Sequence, residues 1–337
     1  MTPTPRRFAA AAAASFTATA IAIAIALTAL PPSAAEAQTA YPEKPVRFVV
    51  PYPPGGGTDV IARIVQERFA QALAQPVIIE NRGGAAGSLG TDVVAKAAPD
   101  GYTVLFTLSS HTINPAIYPK LPFDTVKDFA PVGTVASLPQ ILVANLQFPA
   151  NNVAELTALA KAKPGTLAFA SVGNGSPGHL AGELYKLRTG TQLVHVPYRG
   201  GGPAVTDVMG GQVPLLWVSI PAAAQFVKSG KLKALAVSTI KRSAAFPDVP
   251  TMQEAGVADF EVDSWYAMFV PAKTPKAVIE KLNRALNAVV ALPEIKERLL
   301  AQGSEGVGGT PEALGKVVES ELGRWVKLVK DAGIRLE

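Results

Sequence analysis

Short apolar runs with strand character alternate with amphipathic helical segments along most of this chain. The pattern predicts strands at residues 46–51, 76–81 and 101–107, with helices at residues 59–74 and 87–97 between them. This β-α-β-α-β order is typical of a parallel sheet with right-handed crossovers. The first third of the chain therefore predicts one α/β unit.

The middle of the chain repeats the alternation, and the C-terminal part is mainly helical. Residues 128–144 and 260–271 are extended and marked by prolines or aromatic residues, which is typical of crossings between two lobes. We predict a first lobe from residues 38–135 and 264–337, a second lobe from residues 136–263, and a cleft between them. Further strands are predicted at residues 166–170, 192–197, 213–219 and 232–239, and helices at 152–163, 178–189, 203–209, 221–229, 276–290, 293–302 and 310–332.

Residues 1–37 have the features of a secretory signal peptide. Arg6 and Arg7 precede an uncharged apolar run at residues 8–30, and Ala35-Glu36-Ala37 offers a small-x-small cleavage site. The mature chain would then begin at Gln38 and reside in the periplasm. A retained membrane anchor is the alternative, because the apolar run is long enough to span a bilayer. The arginine pair also allows a twin-arginine export route.

The composition narrows the class of partner. The chain has no cysteine, so disulfides, a thiolate nucleophile and a cysteine metal site are excluded. Its net charge of +5 suits anionic small molecules. The sequence has no dense basic cluster with interleaved aromatic residues, so nucleic-acid binding is not predicted.

The most informative segment is the loop at residues 51–59, Pro-Tyr-Pro-Pro-Gly-Gly-Gly-Thr-Asp. It joins a predicted strand to a predicted helix, and its glycines allow a ligand to come close to the free amides of the first helical turn. Such an arrangement binds anions, although a tight connection with no ligand fits the same residues. The loop matches neither a P-loop nor the G-x-G-x-x-G dinucleotide fingerprint.

Four further loops follow predicted strands, at residues 82–90, 107–114, 171–179 and 197–203. They are rich in backbone and hydroxyl donors and almost free of acidic residues, which favours binding of a carboxylate through hydrogen bonds. Arg199 could pair with that carboxylate or remain a solvated charge. His111 could be a ligand, a capping or a core residue, and Trp265 could line the cleft mouth or pack the hinge. His179 and His195 are expected to be structural.

Signals for catalysis are weak. The three histidines, His111, His179 and His195, form no H-E-x-x-H motif, and no G-x-S-x-G elbow is present. We expect neither a catalytic residue nor a metal or cofactor. A secreted hydrolase of a small carboxylic ester remains the alternative, using Ser109 or Ser176 with His111 or His179. A structural or interaction protein is the third class.

Several segments together resemble the receptors of tripartite tricarboxylate transporters, the Bug family of periplasmic binding proteins. They are residues 41–45 (Tyr-Pro-Glu-Lys-Pro), 51–59, 80–87, 99–103 (Pro-Asp-Gly-Tyr-Thr), 173–179 and 196–200. The resemblance implies a type II periplasmic-binding-protein fold and a monomeric receptor for a dicarboxylate, tricarboxylate, amino acid, aromatic acid or vitamin. It also implies delivery of that solute to a membrane permease or a sensor.

The resemblance also implies a set of ligand-binding positions. Two of them depart from the family pattern: Tyr-Pro-Pro stands at residues 52–54 where many relatives have Phe and a small residue before Pro, and Arg199 stands where Lys is common. Both departures leave the identity of the solute open. The predicted site comprises Tyr52, Gly55, Gly56, Gly57, Ala85, Ala86, Ser109, His111, Ser171, Gly173, Ser176, Arg199 and Trp265.

Overall fold

The computed structural model describes residue 1 and residues 41–118, 120–137 and 139–331. The predicted signal segment lies outside the described residues apart from Met1. Residues 1–43 and 44–337 form two separate units, and every contact discussed below lies within the second. None of the helices in the described ranges is both long and apolar enough to cross a membrane.

The first part of the chain forms three parallel strands joined by helices. Strand β1 (Val46–Val50) pairs in parallel with both β2 (Val77–Asn81) and β3 (Thr103–Leu108). The predicted β-α-β-α-β order is therefore confirmed. A 3₁₀ turn at Ala85–Gly87, which the sequence pattern did not predict, precedes the second helix. The elements are β1 (Val46–Val50), α1 (Gly57–Leu73), β2 (Val77–Asn81), α2 (Ser88–Ala95) and β3 (Thr103–Leu108).

Three antiparallel strands complete this sheet, and two of them come from the segments predicted as extended crossings. They are β4 (Phe129–Ser137), β10 (Trp265–Pro271) and the short β11 (Gly306–Gly308), which gives the strand order β11-β4-β10-β3-β1-β2. Three C-terminal helices follow the crossing as predicted: α8 (Lys276–Ala291), α9 (Pro293–Ala301) and α10 (Pro311–Asp331). Leu314 and Val318 of α10 pack with Phe129 and Phe269 of this sheet. We call this body the first lobe.

The second lobe is built on a five-stranded sheet. Its strands lie in the order β7 (Leu193–Pro197), β6 (Leu167–Ser171), β8 (Leu215–Ser219), β5 (Gln140–Ala144) and β9 (Lys233–Val237). Trp217 and Phe260 stack in its core with ring centroids 5.6 Å apart. A two-lobed α/β fold is thus confirmed, while the exact residue boundaries of the lobes stay a prediction. The elements are β5 (Gln140–Ala144), α4 (Val153–Ala162), β6 (Leu167–Ser171), α5 (Pro177–Thr189), β7 (Leu193–Pro197), α6 (Gly201–Met209), β8 (Leu215–Ser219), α7 (Ile220–Lys228) and β9 (Lys233–Val237).

The prediction of a loop at residues 107–114 is wrong for most of these residues, because helix α3 (Ser110–Ile117) begins there. Serine, threonine and histidine have low helix propensity, so the local pattern favours a loop. Tertiary contacts reverse that preference: Ile113 and Ile117 pack against Trp325 of α10.

A buried carboxylate joins three elements of the first lobe. Glu321 on α10 accepts hydrogen bonds from Trp265 Nε1 (3.1 Å), Thr112 Oγ1 (2.7 Å) and Trp325 Nε1 (3.4 Å). It therefore ties α10 to α3 and to β10. Burial raises the pKa of Glu321 above its ordinary value, and the three hydrogen bonds only partly offset that effect.

We expect Glu321→Gln to lower the free energy of unfolding by about 1–3 kcal/mol, because the amide group would face a donor where the carboxylate accepts. A raised pKa in the folded state means that the stability contributed by Glu321 falls as pH rises from its unfolded pKa through its folded pKa. The variant should lack that part of the pH dependence. Urea unfolding at several pH values measures both effects, with exposed Glu319→Gln on the same helix as the control. Equal stability of the two variants would contradict the role of Glu321.

Candidate functional site

The loops at the carboxyl ends of the strands meet where the two lobes touch. A Cβ built on Gly56 in the first lobe would lie 3.6 Å from the amide nitrogen of Gly201 in the second. A Cβ built on Gly173 would lie 3.5 Å from Cα of Ala86. The first, second, fourth and fifth glycine-rich loops therefore converge across one junction, as expected for ligand sites of open α/β sheets.

Three helices begin at this junction without a side-chain cap in the described chain. They are α1 at Gly57, α6 at Gly201 and α7 at Ile220. Among the other helices, Asn152 caps α4 and Ser176 caps α5, each accepting an amide hydrogen bond, whereas α8 and α9 likewise have no side-chain cap. The first amides of a helix have no partner within the helix and carry partial positive charge. At α7 the Ile220 amide already donates to the Pro139 carbonyl (3.0 Å) and Pro221 has no amide hydrogen, so the amides that can bind an anion here are those of α1 and α6.

A small cavity of about 20 Å³ lies among these helix ends. It has room for about one water molecule and is too small for an organic acid. No side chain on its wall, within the described part of the protein, is charged. The lining residues are Tyr52, Gly56, Gly57, Thr58, Leu108, Gln140, Val172, Pro177, Gly201 and Ser219.

Asp59 fixes the first loop. Its carboxylate accepts the Gly55 amide (2.9 Å), Arg63 Nε (2.9 Å) and Asn81 Nδ2 (3.0 Å). Burial alone would raise the pKa of Asp59, but these hydrogen bonds outweigh it and hold the pKa below its ordinary value. The Gly55 amide is consequently engaged by the protein itself, whereas the amides that follow Gly56 open the helix.

The second loop has a strained backbone. Ala85 and Ala86 have φ values of 48° and 49°, in the left-handed region that residues other than glycine rarely adopt. The Ala86 carbonyl accepts hydrogen bonds from Tyr52 Oη and Asn114 Nδ2, both at 3.2 Å. These bonds hold the strained turn in place beside the fourth loop. Backbone strain that the surroundings enforce is typical of functional sites.

The fourth loop is held by hydrogen bonds of its own. Ser171 Oγ lies 2.7 Å from His195 Nε2 and accepts the Gly173 amide at 3.2 Å. The Gly175 amide donates to His179 Nδ1 at 3.2 Å, and Ser176 Oγ accepts the His179 amide. The groups predicted to contact a ligand here therefore already have partners within the second lobe.

Two residues of the predicted site are packed into the first lobe. The ring of His111 has centroid distances of 4.9 Å and 4.7 Å to Phe129 and Phe269, and burial lowers its pKa to about 4. Trp265 is buried and its indole donates to Glu321. Neither side chain lines the cavity, and we leave both out of the site proposed below. The sequence pattern did not distinguish a core position from a cleft position here.

Ser109 is also buried, and its hydroxyl donates to Ser264 Oγ at 2.7 Å. The serine–histidine pairs of the hydrolase alternative are not formed, since Ser109 pairs with Ser264 and Ser176 caps a helix. Ser171 and His195 make a pair that was not predicted. Burial, with smaller contributions from nearby His179 and Lys186, lowers the pKa of His195 to about 2, far from that of an effective general base.

Residues that the sequence pattern missed complete the junction: Thr58, Gln140, Ser219 and Tyr266. Ser219 had a recognisable signal, because Ser-Ile-Pro directly after a predicted strand is typical of a helix start. Arg199, which was predicted, lies exposed and is not on the cavity wall.

A family model described as "Tripartite tricarboxylate transporter family receptor" matches residues 61–334. Protein BugT of Bordetella pertussis is 39% identical over 307 residues, which cover 90% of this chain and 94% of BugT. The match with BugT extends over nearly the whole of both proteins.

Three solved structures are similar over most of their length. Periplasmic binding protein BugD has a TM-score of 0.85 with 38% identity, covering 88% of this chain and all of that one (100%). Rpa4515 of R. palustris with adipate has a TM-score of 0.85 with 34% identity, covering 88% and 99%. MatC of Rhodopseudomonas palustris with bound malate has a TM-score of 0.82 with 33% identity, covering 86% and 100%.

The contact of Gly57 with the second lobe predicts the effect of Gly57→Ala. A Cβ there would collide with Ser219 Oγ and lie 2.6 Å from Tyr266 Oη, while alanine suits the helical backbone of Gly57. We expect the variant to disfavour the closed lobes by about 1–3 kcal/mol, the usual cost of overpacking, and to lose some stability in urea because Tyr266 lies in the same lobe as Gly57. Small-angle X-ray scattering should then give a larger radius of gyration than for the wild type.

Gly323→Ala on α10 is the matched control, because a Cβ there meets nothing within 4 Å. An unchanged radius of gyration for Gly57→Ala would show that the closed arrangement is not populated in solution without a ligand.

Proposed function

The chain belongs to the tripartite tricarboxylate transporter receptor family, and we propose that it is a receptor that binds a small carboxylate between its lobes. Its relative BugD is a periplasmic binding protein, which supports a periplasmic location for this receptor. We propose that the receptor passes its solute to a membrane permease or to a sensor, and that the signal peptide predicted at residues 1–37 directs its export.

One observation carries this proposal: the N-termini of α1 in the first lobe and α6 in the second, neither with a side-chain cap, meet at a cavity whose described wall residues are uncharged. A buried carboxylate needs hydrogen bonds to replace its lost hydration. Amides at the starts of α1 and α6, together with the Ser219 hydroxyl, can supply them without a buried counter-ion. The adipate and malate in the similar structures are acids of this chemical class.

The ligand contacts that we propose therefore differ from those predicted from the sequence. We propose that the amides of Gly57, Thr58 and Gly201 contact the carboxylate, while Tyr52 and Ala86 shape the adjoining wall. Ser171, Gly173 and Ser176 act by holding the fourth loop in position, since their polar groups are engaged within it.

Binding requires the lobes to open, because the closed cavity cannot hold an organic acid. The lobes are bridged by hydrogen bonds such as Tyr118 Oη to the Asn174 carbonyl (3.2 Å) and Lys228 Nζ to the Ala301 carbonyl (2.8 Å). Each is worth about 1 kcal/mol, so open and closed forms should coexist. A ligand that contacts both lobes favours the closed form.

A thermal-shift screen against small carboxylic acids, followed by calorimetry, tests the function. We expect at least one acid to raise the melting temperature and to reduce the radius of gyration, because it binds the closed native state. The corresponding uncharged amides or methyl esters are the controls and should have little effect. If no carboxylic acid stabilises the protein, or if amides stabilise it equally, the proposed function is wrong.

Arg199→Ala tests whether amides or a salt bridge hold the carboxylate. Arg199 is exposed and away from the cavity wall, so its removal should weaken binding by no more than about 1 kcal/mol. Calorimetry with the acid identified in the screen measures the change, and Arg188→Ala, at another exposed arginine of the second lobe, is the control. A loss of about a hundredfold, equivalent to about 2.7 kcal/mol, would identify Arg199 as the main partner of the anion.

A further inference from the structure

Tyr266 on β10 has a buried hydroxyl group that makes no well-formed hydrogen bond in the described chain, and the side chain that faces it is Ser219 of the second lobe. The side chain is 0% exposed, and its oxygen lies 2.6 Å from the point where a Cβ on Gly57 would stand. Ser219 Oγ reaches the same point from the second lobe. Two hydroxyl groups, one from each lobe, thus approach the first residue of α1.

An unpaired buried hydroxyl needs an explanation, because leaving it unsatisfied destabilises a protein. Other tyrosines in the molecule are paired: Tyr52 donates to the Ala86 carbonyl, Tyr118 to the Asn174 carbonyl, and Tyr185 lies 2.7 Å from Thr157 Oγ1. Phenylalanine would fill the position of Tyr266 without that cost. The hydroxyl that faces Tyr266, that of Ser219, belongs to the other lobe, so opening of the lobes leaves both hydroxyl groups available to a ligand.

We propose that Tyr266 and Ser219 form a specificity subsite for an oxygen atom on the carbon next to the bound carboxylate. The receptor would then select 2-hydroxy and 2-oxo acids over the same acids without that oxygen. This inference rests on the proposed function, which supplies the carboxylate at the amides of Gly57 and Thr58.

The location of the hydroxyl groups favours this class of ligand. They approach Gly57, the residue whose amide opens α1, so the ligand atom that they contact must be close to the carboxylate itself. The described residues of the cavity wall include no cation, which favours a neutral oxygen there over a second carboxylate. Burial raises the pKa of Tyr266, which keeps the phenol protonated as a donor.

Calorimetry with paired acids tests the subsite. Malate differs from succinate by one hydroxyl group, and 2-oxoglutarate differs from glutarate by one keto group. We expect the wild type to prefer the oxygen-bearing acid of at least one pair by about tenfold, the equivalent of a hydrogen bond of about 1.4 kcal/mol. Tyr266→Phe should remove most of that preference and leave the affinity for the unsubstituted acid within about twofold, because it loses only that bond.

Two controls separate ligand binding from general damage. Tyr185→Phe removes a hydroxyl that is paired with Thr157 outside the cavity, and it should leave the preference intact. Ser219→Ala should reduce the preference in the same direction as Tyr266→Phe. Tyr266→Phe should also unfold in urea at no lower concentration than the wild type, because no well-formed hydrogen bond within the first lobe is lost.

The two proposals fail in different ways. Binding of carboxylic acids without preference for a 2-oxygen, or equal weakening of both members of a pair by Tyr266→Phe, overturns the subsite and leaves the receptor function standing. The absence of binding to any carboxylic acid overturns the function and the subsite with it.

Discussion

The amide groups at the start of a helix have no acceptors within that helix, and the rest of this structure follows from where those groups are placed. Two such helix starts, at Gly57 and Gly201, meet at the contact between the lobes without side-chain caps in the described chain. Side chains there would obstruct the contact, as the position of a Cβ on Gly57 indicates. Glycine and an uncharged wall are therefore consequences of the same requirement. An anion is the complement of that arrangement.

The two lobes contribute differently to this junction. In the first lobe, Asp59 holds the opening loop, and Tyr52 and Asn114 hold the strained turn at Ala86. In the second lobe, His195 and His179 hold the fourth loop through Ser171 and Gly175. The charged and titratable groups near the site thus position backbone amides and need not contact the ligand. A backbone site preorganised in this way changes little when a carboxylate arrives.

The crossing that carries Tyr266 depends on packing far from the cavity. Glu321 of α10 accepts the indole of Trp265, the neighbour of Tyr266, and also binds Thr112 of α3. Neighbouring residues of a strand point to opposite faces of the sheet. Trp265 therefore turns into the first lobe while Tyr266 turns toward the lobe contact. The C-terminal helix in this way fixes the strand from which the proposed subsite is presented.

The sequence by itself determined the alternation of strands and helices and the placement of glycine loops at strand ends, because periodicity and turn chemistry are local properties. Only the tertiary structure decided which groups in those loops are free. His111 and Trp265 have the right chemistry for a cleft, but their surroundings place them in the core. Ser219 and Tyr266 lie 47 positions apart in the sequence; Tyr266 reaches Gly57 within the first lobe, and Ser219 reaches it only because the lobes close. Helix α3 likewise forms against local propensity because α10 packs on it. Long-range contacts of this kind leave no periodic signal in one sequence.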